Sequence, residues 1–173
     1  MLPHFAKTGN LPPGIHSASW PEVLRRFGTN GHRRRLLRRV RPALGALKRA
    51  GCTSVYLAGS FVSSKKLPGD IDVLWDPAGV DTTVLDRLAP ILADDSPSGR
   101  AEHKRRYGAE FIPTTVPRSG APYLDFFQTE KGTDAPRGIV RLDLRRFPCM
   151  RASLQAHCRR TPVGWPRGWR QPR

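Results

Sequence analysis

Residues 56–76 read "YLAGSFVSSKKLPGDIDVLWD", and the fold turns on how this stretch divides. It opens as an apolar strand, breaks at Gly59-Ser60, passes Lys65 and Lys66, and turns at Pro68-Gly69. It then enters a second apolar run that carries Asp70 and Asp72. The spacing predicts strands over Ser54 to Ala58 and Ile71 to Trp75. Side chains alternate along a strand, so Asp70 and Asp72 share one face while Ile71 and Val73 pack on the other. Two carboxylates side by side raise each other's pKa and call for a cation. Lys65 and Lys66 are one possible source, and a divalent metal is the other. Magnesium takes one or two carboxylates together with waters and substrate phosphates, which a D-x-D pair at a strand end can supply. Gly59 allows close backbone approach. Exposed amides with the Ser60 hydroxyl would cradle a phosphate.

Outward from this stretch, helices and strands alternate. Ser19 to Glu22 is an S-x-x-E capping box with Pro21 in the first turn, predicting a helix from about Trp20 to Phe27 that Gly28 stops. Thr29 or Asn30 can cap the next helix, with Leu36, Leu37, Val40, Leu44 and Leu47 on its apolar side. Pro42 is expected to kink it or begin a second segment, and Gly51 to end it. Asp81 or Thr82 opens a helix carrying Val84, Leu85, Leu88 and Leu92. Ser96 or Ser98 opens another, ended by Gly108. Two more strands are expected at Tyr123 to Gln128 and Ile139 to Leu144. The pattern argues an α/β or α+β domain with a small mixed sheet flanked by helices. An irregular Pro/Gly-rich segment over 1–15 is expected before it, and a basic, flexible tail bearing Trp165 and Trp169 over 149–173 after it.

The chain has 173 residues, enough for one domain with a modest core. Thirty Lys/Arg against 14 Asp/Glu give a net charge of +16, a surface that attracts polyanions. Six arginines crowd positions 33–41, and Arg33, Arg34, Arg35, Arg38 and Arg39 are the candidate nucleic-acid contacts. Cys52, Cys149 and Cys158 are odd in number and widely spaced, which argues against a zinc site or disulfide framework. No run approaches the roughly 18 apolar residues of a membrane span, so a cytoplasmic setting is expected. The chain holds no GxxxxGK[ST], GxGxxG, HExxH or GxSxG.

Gly59-Ser60, the spacer and Asp70-Ile71-Asp72 resemble the signature of the DNA polymerase β-type nucleotidyltransferase superfamily. The "PPGIH" start, the GSF…PGDID core and the "LDFFQ…GIVRLDL" end are also similar to a group of small bacterial proteins assigned to it, over residues 11 to 146. The resemblance implies a minimal nucleotidyltransferase fold over 16–148. It also implies a third carboxylate, and two magnesium or manganese ions that hold an NTP such as ATP while its NMP passes to a hydroxyl. For the third ligand we choose Asp125, in the apolar YLDFF, over Asp143, whose face carries Arg141 and Arg145. Asp70, Asp72 and Asp125 are then the catalytic and metal-binding set. Gly59, Ser60, Lys65 and Lys66 are the nucleotide contacts. Small relatives include toxin-like enzymes that extend tRNA 3′ ends and others that place AMP on proteins. The expected acceptor is therefore RNA, most of all tRNA, in a toxin-like or defence protein. Protein or small-molecule nucleotidylation is an alternative, as is a non-catalytic nucleic-acid-binding module. The size departs from housekeeping tRNA-tailing enzymes, which carry extra helical domains. An acidic antitoxin would suit so basic a surface.

Overall fold

The structure, a computed structural model, describes residues 1–115, 123–130 and 132–148. Its chain order is β1 (Gly14–Ala18), α1 (Trp20–Phe27), α2 (Gly31–Arg49), β2 (Ser54–Ala58), β3 (Ile71–Trp75), α3 (Thr82–Leu88), α4 (Pro97–Tyr107), β4 (Ala109–Pro113), α5 (Tyr123–Phe127) and β5 (Gly138–Asp143). The five strands form one mixed sheet in the order β1-β5-β2-β3-β4. β1 runs parallel to β5 and β3 parallel to β4, while β2 is antiparallel to both of its neighbours. The fold is therefore α+β, as the alternation of elements predicts.

Local signals place the helices. At α1 the Glu22 carboxylate accepts from the Ser19 backbone N–H at 2.8 Å, the return half of a capping box. Asn30 caps α2 by accepting from the Arg33 N–H at 2.9 Å, and Asp81 and Ser96 cap α3 and α4 in the same way. Gly108 closes α4 at φ 64°, where a side chain would be strained. The helix α2 runs unbroken through Pro42 for 19 residues, where a kink or a restart was expected. Its stripe of Leu36, Leu37, Val40, Leu44 and Leu47 is buried against the sheet, and that packing outweighs one lost backbone bond.

Alternation sorts the sheet into two faces. Val55, Leu57, Ile71, Val73, Trp75, Phe111, Val140 and Leu142 point into the main core, which the apolar sides of α1 to α4 complete. The opposite face carries Ala58, Leu74, Ile112 and Ile139, covered by Phe127 and Leu124 of α5. Asp72 and Glu110 belong to this second face by the same alternation.

Three expectations need correction. The N-terminal segment is not irregular throughout: β1 begins at Gly14, and Leu11 is buried in the core. YLDFF is a short helix, not a strand. Its apolar residues at 123, 124, 126 and 127 fit a helical stripe as well as alternation, and Leu124 and Phe127 pack on the sheet. Residues 109–113 form a strand, β4, where none was foreseen. The expectations for residues 149–173, including Cys149, Cys158, Trp165 and Trp169, lie outside the described residues. No helix among the described residues is long and apolar enough to cross a membrane.

Candidate active site

At the end of β2 the backbone turns at Gly59 with φ 70°, and Gly59–Val62 forms one 3-10 turn. A Cβ on Gly59 would fall 1.7 Å from Asp72 Oδ2, so only glycine allows the carboxylate to lie against this turn. Phe61 and Val62 anchor the turn in the core. Ser60 stays half-exposed, and its carbonyl accepts from the Ser63 hydroxyl at 2.8 Å.

The first turn of α2 holds the following loop from outside. Asn30 Nδ2 donates to the Lys66 carbonyl at 2.9 Å, and His32 Nε2 lies 2.6 Å from the Pro68 carbonyl. Arg33 reaches three carbonyls: Phe27 and Lys65 at 2.6 Å each, and Phe61. Its side chain is buried against the Phe61 ring, and burial pulls its pKa below the usual arginine value. Arg33 is therefore a structural clamp, which corrects its assignment to nucleic-acid contact. Arg39 is also engaged, donating to the Lys104 and Arg105 carbonyls at the end of α4. Arg34, Arg35 and Arg38 remain exposed. Lys65 and Lys66 are exposed on the loop that α2 grips, and neither lines the cleft beside the acids.

Three carboxylates converge. Asp70 precedes β3, Asp72 lies within it, and Glu110 on β4 is the register partner of Asp72. Each offers an oxygen, and these oxygens all lie within 4.8 Å of one another. Asp125 is not in this group: it is exposed on α5, because the helical packing of Leu124 and Phe127 turns it outward. Glu110 stands where Asp125 was expected. The sequence signal for it was "GAEFIP", one acid in an apolar alternation directly after a helix-ending glycine. That is the pattern that singled out Asp72.

The cation between the acids is Lys104, not Lys65 or Lys66. Its Nζ lies 2.9 Å from Asp70 Oδ2 and 2.7 Å from Glu110 Oε2, and both carboxylates hold its pKa above the usual lysine value. Arg100 approaches Glu110 at 3.4 Å. Among the described residues, no side chain donates a hydrogen bond to Asp72. Burial, then the charges of Asp70 and Glu110, push its pKa up to about 6. Asp72 and Glu110 of the trio open on a cleft of about 440 Å³ whose walls also include Ile112, Phe126 and Arg137. Three close oxygen donors, one lacking a partner, suit a hard divalent cation.

The sheet and trio thus define an α+β protein with a carboxylate-lined cleft beside a glycine turn. Residues 3–143 match the family described as "Family of unknown function (DUF6932)", and the chain belongs to it. No curated protein and no solved structure matches the chain.

Proposed function

We propose that this protein is a divalent-metal-dependent nucleotidyltransferase, moving a nucleoside monophosphate from an NTP to a hydroxyl acceptor with release of pyrophosphate. The observation that carries this reading is the placement of Asp72, against the Gly59 turn on one side and beside Asp70 and Glu110 on the other. Asp70, Asp72 and Glu110 would hold magnesium or manganese, which supplies charge neutralisation for an in-line displacement at phosphorus. The Gly59-Ser60 turn sits at the same strand ends and would bring backbone amides and the Ser60 hydroxyl toward the phosphates. Lys104 pairs with two of the three acids, Asp70 and Glu110, and would share or yield them to a bound ion.

RNA is the acceptor that the charge favours. A net charge of +16 and the exposed Arg34, Arg35 and Arg38 provide the phosphate attraction that dominates non-specific RNA affinity. We place the acceptor at the tRNA 3′ end, in a cytoplasmic toxin-like or defence enzyme whose basic surface an acidic partner would neutralise. Incubation with each labelled NTP, magnesium or manganese, and total tRNA tests the reading. Label is expected in RNA, and it should vanish in Asp72→Asn while tRNA retention on a filter persists. Label in protein would move the acceptor to a polypeptide. Absence of label with every nucleotide and acceptor would overturn the proposal.

A further inference from the structure

Among the described residues that line the cleft, Arg137 is the cation without an anionic partner. It is half-buried on the cleft wall and immediately precedes β5. Both ends of the residue are fixed: its backbone N–H donates to the Gln128 carbonyl at 2.7 Å, and its Nε to the Phe127 carbonyl at 3.1 Å. Among the described residues, no carboxylate lies within ion-pair distance of the guanidinium. The neighbouring Glu130 is occupied by Asn10 Nδ2 at 3.1 Å and the Thr133 hydroxyl at 3.0 Å. The Arg137 charge nevertheless reaches across the cleft, since it lowers the pKa of both Asp72 and Glu130. Arg100, the other arginine on the wall, already serves Glu110 and the Asp95 carbonyl.

A partly desolvated guanidinium that is held still but unpaired is poised for an anion brought from outside. The cleft therefore carries both signs of charge on its walls, with Asp72 and Glu110 able to take a cation and the Arg137 fork able to take an anion, beside apolar Ile112, Phe126 and Phe127. A chain of phosphates bound to a divalent ion at the acids would have free oxygens left for a guanidinium on the same cleft wall. Guanidinium meets phosphate oxygens in pairs, which fixes direction as well as affinity. The cleft volume of about 440 Å³ falls within the roughly 300–1,000 Å³ of small-ligand sites. We infer that Arg137 is the polyphosphate-binding residue of this cleft, gripping the phosphate tail of the nucleotide in place of Lys65 or Lys66. The inference rests on the nucleotidyl-transfer reading but is tested by binding alone.

The experiment titrates inorganic tripolyphosphate, and separately ATP, into the full chain with magnesium by calorimetry. It compares wild type, Arg137→Met and Arg137→Lys, with thermal melting as the fold control. A charged hydrogen-bond pair lost at this site corresponds to roughly a tenfold or greater loss of affinity. Arg137→Met is expected to show that loss for both ligands, and Arg137→Lys to recover part of it. Manganese affinity, read by electron paramagnetic resonance without nucleotide, should stay within about twofold. Unchanged tripolyphosphate affinity in Arg137→Met, or no binding by wild type, overturns the inference. Loss of manganese and tripolyphosphate together assigns Arg137 a structural role and also overturns it. If Arg137-dependent binding occurs without nucleotidyl transfer to any acceptor, the anion site stands and the enzymatic reading falls. If transfer proceeds and Arg137→Met binds normally, the reverse holds.

Discussion

Asp72 concentrates the chemistry of the molecule at one residue. Its carboxyl is pushed to about 6 by burial and by two acidic neighbours, from an ordinary value of 3.8. Between about pH 4 and pH 6 the folded chain keeps a proton on Asp72 that the unfolded chain has released. The metal-free protein therefore loses stability as pH rises through that window, by up to about 3 kcal/mol for a shift of this size. Asp72→Asn removes the charge and keeps the shape. In chelator, urea unfolding should show the variant more stable than wild type at pH 7 and the two converging near pH 4. Equal stabilities at pH 7 would mean that Asp72 carries no strain. A residue that destabilises its own fold while the site is empty fits a binding role better than a packing role.

Elements decide which acid completes the trio. β4 is parallel to β3 with Glu110 in register with Asp72, and α4 delivers Lys104 to the same place. Helix α5 instead uses its length to lay Leu124 and Phe127 on the sheet, leaving Asp125 exposed. Glu110→Gln should therefore abolish labelling by at least about a hundredfold, the scale on which a group stabilising the reacting phosphate acts. Asp125→Asn should stay within about threefold of wild type, since exposed side chains away from a site rarely matter. The opposite ranking in a single-turnover assay would return the third ligand to α5. Helix α2 divides its labour in a similar way. Its N-terminal turn clamps the Lys65–Pro68 loop through Asn30, His32 and Arg33, while Arg34, Arg35 and Arg38 face outward. Cations near a helix N-terminus oppose the helix dipole, so their presence there asks for a benefit elsewhere.

At the scale of the whole molecule, charge is the organising fact. Thirteen of the 14 acids lie between Asp70 and Asp143, while the early helices are basic. Association with tRNA should weaken steeply with salt, because each neutralised phosphate releases a counterion. Replacing Arg35 and Arg38 together by Gln should lower tRNA affinity and reduce the log–log salt slope by about one to two units. Arg33→Gln should instead lower the melting temperature and leave the slope unchanged, since its donors are spent on carbonyls. Filter binding across a salt series separates the two, and an unchanged slope in the double variant would place the RNA surface elsewhere.

What the residues determined alone were the features written in local chemistry. The capping box at Ser19, the helix starts narrowed to Thr29 or Asn30, Asp81 or Thr82 and Ser96 or Ser98, the glycine stops at Gly28 and Gly108, and the two strands around Gly59 each depend on neighbours a few positions away, and the structure picks Asn30, Asp81 and Ser96 as the caps. Asp70 and Asp72 were legible for the same reason, since period-two alternation puts charge conspicuously on an apolar strand. Only the tertiary structure decided that YLDFF is helical, that Glu110 rather than Asp125 joins the pair, that Lys104 is the bridging cation, and that Arg33 faces inward. Each of those depends on which distant segments meet. A five-residue apolar run satisfies either period until the sheet face it covers is known, and a charge is surface or clamp only once its partners are in place.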